Sequence, residues 1–245
     1  MTAASRDALT TAGTLGPFSA LDESPGPGWV SWAELVDRPE PFARRVDDAR
    51  ELLAAGPGAP DVPVRAVASV VHLGLVARLV SPPLGAALVS AVLPVLPARS
   101  VHLHPVGSNP VPLAFDRPAG VPVACVAEIA ASLDRHWLVP LAAPLTAAVG
   151  RWYGLSSHVL VGNTASAVAG ALATIAAARP QLDPAAAVVL NALLAGGTLA
   201  GRGGRRPDGA FVRRSCCLWY RLPGAGTCGD CVLDGRAETG DRPSV

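Results

Sequence analysis

The stretch VRAVASVVHLGLVARLVSPPLGAALVSAVLPVL, residues 64–96, decides how the chain is read. A membrane span needs about 20 mostly apolar residues. This run is apolar enough, but His72, Arg78 and the Pro82-Pro83 pair interrupt it. It therefore reads as buried helix in a soluble body. The prolines predict a first helix ending at residue 82 and a second over LGAALVSAVLPVL, because proline removes a helix donor and crowds the preceding turn. The longest run without Asp, Glu or Arg, Trp152 to Ala178, holds His158, Asn163 and several Ser and Thr residues. It reads as buried helix on the same grounds.

The remainder supports a mainly α (α+β) chain. Half of the 245 residues are apolar, chiefly Ala, Val and Leu. WVSWAELVDRPEPFARRVDDARELLAAG reads as one or two short helices, with Trp29, Trp32, Leu35 and Val36 as a packing stripe. SVHLHPVGSNPVPLAFDRPAG alternates around a Gly-Ser-Asn-Pro turn and predicts a β-hairpin near 100–116. VACVAEIAASLDRHWLVPLAAPLTAAVGRWYG is helical, with a break or kink at Pro140 and Pro144. Asn163 would cap the following helix. Asp183 suits the N-cap of the next, Pro184 its first position and Gly196 its stop. The organisation expected is a variable segment over 1–60, a helical body over 61–200, and a glycine-rich linker with a cysteine-bearing tail over 201–245.

The chemistry expected elsewhere is sparse. All twenty basic residues are arginines, and the formal charge of +1 gives no general argument for nucleic acid. The amino terminus lacks a basic start followed by an apolar run, so a cytoplasmic protein that is not integral to a membrane is the default, with peripheral association left open. Cys125 reads as a buried small hydrophobe. His102 and His104 share a strand face without a third ligand, so packing is the simpler reading. No G-x-S-x-G, phosphate loop or dinucleotide fingerprint is present.

Four of the five cysteines lie in RRSCCLWYRLPGAGTCGDCVL, residues 213–233, as Cys216-Cys217-x10-Cys228-x2-Cys231. Disulfides need an oxidising compartment, which nothing here supports. Zinc and iron–sulfur clusters both take four thiolates. Cys228-x2-Cys231 fits a zinc pair, but adjacent side chains diverge, so Cys216 and Cys217 sit awkwardly on one tetrahedral ion. A binuclear cluster spreads its ligands over a larger object.

The pattern CC-x10-C-x2-C near a carboxyl terminus, in the setting RRSCCLWYRLPGAGTCGDC, resembles the FhuF family of ferric siderophore reductases. LVGN at 160–163 adds to the likeness. The resemblance implies that Cys216, Cys217, Cys228 and Cys231 ligate a [2Fe–2S] cluster. It also implies one-electron reduction of siderophore-bound Fe(III), a hydroxamate type foremost, with no residue acting as acid or base. The electron donor would be a separate ferredoxin or NAD(P)H-dependent reductase. Arg213, Arg214 and Arg221 would offset the cluster's negative charge, with Asp230 and Asp234 opposing. With Arg202, Arg205 and Arg206 they are also candidates for docking an anionic siderophore or acidic donor. Trp219 and Tyr220 would anchor the tail on the body. A cluster-based carrier or redox sensor, and a zinc-stabilised helical binding protein, are the alternatives.

Overall fold

The computed structural model describes residues 3–55, 61–105 and 109–233. Two long apolar helices form its axis, α4 (Val64–Ser90) and α7 (Ser157–Ala178), and they pack along their lengths. Both are long and apolar enough to cross a membrane by length and composition, yet most of each apolar stretch is buried against the rest of the protein. Around them lie α1 (Ala3–Gly13), α2 (Trp32–Asp37), α3 (Pro39–Ala54), α5 (Val126–Leu133), α6 (Ala143–Tyr153) and α8 (Asp183–Ala195). One core spans them, from Ala8 and Leu9 through Trp32 and Phe42 to Leu193.

Pro82 and Pro83 do not end the helix. α4 runs through both as one element. Each internal proline costs about 3 kcal/mol of helix propensity. Residues 81–87 are all buried, however, and breaking the helix would take that surface out of the core. The Ser81 hydroxyl donates to the Ala77 carbonyl (2.7 Å) just before the prolines. Gly85 then lets α1 cross closely, since a Cβ there would lie 2.9 Å from Leu15 Cδ1 and 3.0 Å from Ala12 Cβ. The second expected helix is only the end of α4, and its LPV residues belong to strand β2 (Val92–Val95).

Pro140 has a similar outcome. Instead of breaking, the chain from α5 to α6 widens into a π-helical stretch, Asp134–Ala142. Such widening is one way a helix accommodates a missing donor. The Trp32 indole donates to the Leu141 carbonyl (3.0 Å) inside this stretch. α2 starts at Trp32 under a capping box, in which the Glu34 amide donates to Ser31 Oγ and the Ser31 amide to the Glu34 carboxylate. Trp29 precedes that helix and stacks on His104 with ring centroids 5.9 Å apart. Helix α8 starts at Asp183 with Leu182 in the cap position, and ends before Gly196.

The hairpin expected near 100–116 is present as β3 (Val101–Leu103) and β4 (Leu113–Phe115), antiparallel with His102 opposite Ala114. The Gly107-Ser108 part of its turn lies outside the described residues. Strand β1 (Val30–Ser31) adds to β3, and β2 pairs with β5 (Ala119–Pro122). Cys125 is exposed at the cap position of α5, not buried within a helix.

A few polar side chains lie inside this apolar body. His72 on α4 is fully buried, and its Nε2 donates to Thr146 Oγ1 (3.1 Å), which itself donates to the Ala142 carbonyl. Burial, with the positive charge of Arg213 adding to it, pushes His72 down to about 3. The unfolded chain therefore takes up a proton below about pH 6.5 that the folded chain refuses. Stability is full above that value and falls as pH drops towards 3, by ~1.4 kcal/mol per pH unit. Denaturant titrations between pH 7 and 4.5 should show this one-proton slope in the wild type and its loss in His72→Leu.

Candidate metal centre

The glycine-rich stretch expected as a linker is a hairpin. Strand β6 (Gly203–Arg205) pairs antiparallel with β7 (Phe211–Arg213), closed by the Arg206 amide donating to the Ala210 carbonyl (2.8 Å). Gly203 is required there, because a Cβ would lie 2.2 Å from the Phe211 ring. The hairpin fixes the direction in which the chain enters the cysteines.

One face of α7 receives the cysteine segment. His158, Gly162 and Ser166 are spaced by four, so they line up along the helix, and Asn163 lies beside them. A Cβ on Gly162 would lie 1.9 Å from Ser215 Oγ. His158 Nε2 donates to the Arg214 carbonyl (3.2 Å), while Arg202 donates to its Nδ1 (3.2 Å). Ser166 donates to the Asp230 carboxylate. The Asp230 carbonyl accepts from the Arg213 amide (3.1 Å). Both arms of the cysteine loop are thus fixed to one helix face.

Asn163 is central. It is not a cap; Ser156 has that role, its Oγ accepting from the Val159 amide (3.3 Å). Asn163 is fully buried in mid-helix. Its Nδ2 donates to the Ser69 carbonyl (2.8 Å) and hydroxyl (2.9 Å) on α4. Its Oδ1 accepts from Arg213 Nη2. Arg213 is only 1% exposed, so it is an internal cation rather than a docking residue.

The cysteines come together beside that cation. Cys217 and Cys231 are buried, and Cys216 and Cys228 partly so. The Cys217 and Cys228 sulfurs are 3.3 Å apart, within hydrogen-bond distance, and this contact holds Cys217 down to about 6 and pushes Cys228 up. Leu218, in the left-handed region (φ 67°), donates its amide to Cys216 Sγ (3.3 Å), and the Leu233 amide does the same for Cys231 (3.3 Å). Burial raises Cys216, with the nearby Cys217 and Cys231 sulfurs adding to the effect. The four sulfurs therefore share one neighbourhood. Among the described residues, no three His, Cys, Asp or Glu side chains converge on a single-ion position.

This arrangement fits a [2Fe–2S] cluster. Cysteine sulfurs are its ordinary donors, and amide hydrogen bonds to sulfur stabilise their negative charge. Arg213 Nε and Nη1 and Ser215 Oγ are buried without a hydrogen-bond partner among the described residues. Unfilled buried donors are costly, and Arg213 lies within electrostatic reach of Cys216 and Cys217. An anionic group among the cysteines would relieve that cost.

The other arginines divide by place. Arg202 braces His158. Arg205 and Arg206 donate to the Gly209 and Cys231 carbonyls. Arg214 and Arg221 are exposed. Trp219 and Tyr220 are 38% and 50% exposed, so they do not anchor the tail. Leu222, buried at the end of their 3-10 turn, occupies the core instead. Asp234 lies outside the described residues. Sequence reading missed Ser69 and Ser215 and took Gly162 only as part of the LVGN likeness. For Ser69 the available signal was a small polar residue inside an otherwise apolar helix.

Residues 213–233 match the family model described as FhuF 2Fe-2S C-terminal domain. The match covers the cysteine segment from Arg213 onward and points to a [2Fe–2S] cluster as its cofactor, in agreement with the resemblance read from the sequence. No curated protein matches the chain.

Gly162→Val tests the seating of this segment. The added carbons would meet Ser215 and cost about 1–3 kcal/mol locally. The purified variant should keep its far-UV helical spectrum and lose most of its visible iron–sulfur absorbance. Full absorbance would show that Ser215 does not need the space above Gly162.

Proposed function

We propose that this protein is a ferric siderophore reductase of the cytoplasm, with Cys216, Cys217, Cys228 and Cys231 holding the cluster. The observation that carries the reading is the agreement, within residues 213–233, between the family match and a buried cation with unfilled donors beside four cysteines. The cluster supplies one-electron transfer.

Ligand chemistry supplies the rest. Hard oxygen donors hold ferric iron tightly and ferrous iron weakly, so one electron is enough to loosen the metal. The protein's own residues then have three tasks. The cysteine loop keeps the cluster near the surface, since Cys216 and Cys228 are only partly buried. Arg213 would offset the negative charge that reduction adds to a cluster held there. The contacts with His158, Gly162 and Ser166 hold the loop on one face of α7. Electrons would come from a separate ferredoxin or NAD(P)H-dependent reductase.

Anaerobically purified protein should be reddish-brown, and the dithionite-reduced form should be reoxidised by ferric siderophores while a ferrous trap accumulates product. Reduced protein that no ferric chelate reoxidises would instead be an electron carrier or redox sensor. Colourless protein with stoichiometric zinc would remove the redox reading.

A further inference from the structure

The two axis helices start at the same end of the molecule. Arg65, in the first turn of α4, donates to the Gly154 carbonyl just before α7, and further along each helix Ser69 meets Asn163. α4 and α7 therefore run parallel, and their dipoles place partial positive charge side by side. Neither helix has an acidic residue in its first turn. A hollow of about 440 Å³ opens at this end, lined by Arg65, Gly154, Ser156, Leu218 and Arg221 among others, with no carboxylate. Arg65 and Arg221 are exposed and have no ion-pair partner among the described residues. Asp61, the carboxylate nearest Arg65 in sequence, lines a separate hollow with Asp47 and Glu51.

The same end carries exposed apolar surface. Val64, Trp219 and Tyr220 are among the few large apolar side chains left exposed. Trp, Tyr and Arg are enriched in protein–protein interfaces, and Trp219–Arg221 presents all three in one 3-10 turn. That turn is attached to the metal centre by its own backbone. Leu218, just before it, donates its amide to Cys216 Sγ (3.3 Å), and the Trp219 amide hydrogen-bonds to Cys217. Along the chain, only Leu218 lies between the turn and Cys217.

We infer that this face docks the electron donor, and that the donor is an acidic protein with carboxylates around an exposed one-electron centre. This rests on the reductase reading and names the partner that it requires. The hydroxamate chelate implied by the family resemblance does not account for the charge, because singly charged hydroxamates balance ferric iron and leave the complex near neutral. A carboxylate-ringed protein is complementary to the two arginines and the two helix starts. Such complementarity steers encounter and fixes orientation. One electron passes from the donor to the cluster, the donor being oxidised and one cluster iron reduced from Fe(III) to Fe(II), with no bond made or broken.

Calorimetric titration of the oxidised, cluster-loaded protein with an oxidised, acidic plant-type [2Fe–2S] ferredoxin should give binding that added salt weakens. With the visible spectrum intact, Arg65→Glu/Arg221→Glu should lower that affinity ~10-fold or more. Arg65→Glu alone, which leaves the cysteine loop untouched, should lower it in part. Arg179→Glu, at the far end of α7, reverses a charge away from this face and should leave the affinity unchanged. Undiminished affinity in the double variant, an equal loss in Arg179→Glu, or wild-type protein that binds phosphatidylglycerol vesicles but not the ferredoxin overturns the face. Ferredoxin bound through both arginines, with no ferric siderophore reoxidising the reduced protein, keeps the face and removes the reductase reading. Reoxidation by ferric siderophores without ferredoxin binding does the reverse.

Discussion

The Asn163 side-chain amide joins the two halves of this protein. Its nitrogen binds Ser69 on α4 and its oxygen binds Arg213 at the entrance to the cysteine loop. A buried amide is tolerated only when its donors and acceptor are filled. Helix pairing therefore fills one side of Asn163, and correct seating of the loop fills the other. The loop buries little apolar surface against the core, mainly Leu222 and parts of Leu218 and Ala225. Its position is set by hydrogen bonds to one helix face and by close approach at Gly162.

Arg213 extends that link to the metal centre. Among the described residues its guanidinium is hydrogen-bonded at Nη2 alone and has no ion-pair partner. His72, nearby, is held neutral by burial and by that same charge, so it adds no second positive charge. A cluster held by the cysteines would bring the negative charge that balances Arg213, and a positive charge at this place would favour the cluster's reduced state.

Much of this was legible in the sequence. Helical class, the β3–β4 hairpin, the four cysteines and the reading of residues 64–96 as core all rest on periodicity, spacing and residue chemistry. The misreadings share a cause. Pro82, Pro83 and Pro140 have a local propensity to break helix, and burial overrides it. Asn163 looks like a cap for the same reason, because its partners are Ser69, 94 positions away, and Arg213, 50 away. Trp219 and Tyr220 look like anchors by size alone, whereas Leu222 fits the turn's inward face. Contacts at such separations leave no local pattern, although polar residues inside apolar helices do mark where they occur.

Arg213 would be the internal counter-charge of a cluster held by the four cysteines. Spectroelectrochemical titration of Arg213→Lys and Arg213→Met against the wild type tests it most directly. The midpoint potential should fall in Arg213→Met and stay close to wild type in Arg213→Lys. A fully loaded Arg213→Met protein with an unchanged or higher potential would show that Arg213 does not balance the cluster's charge.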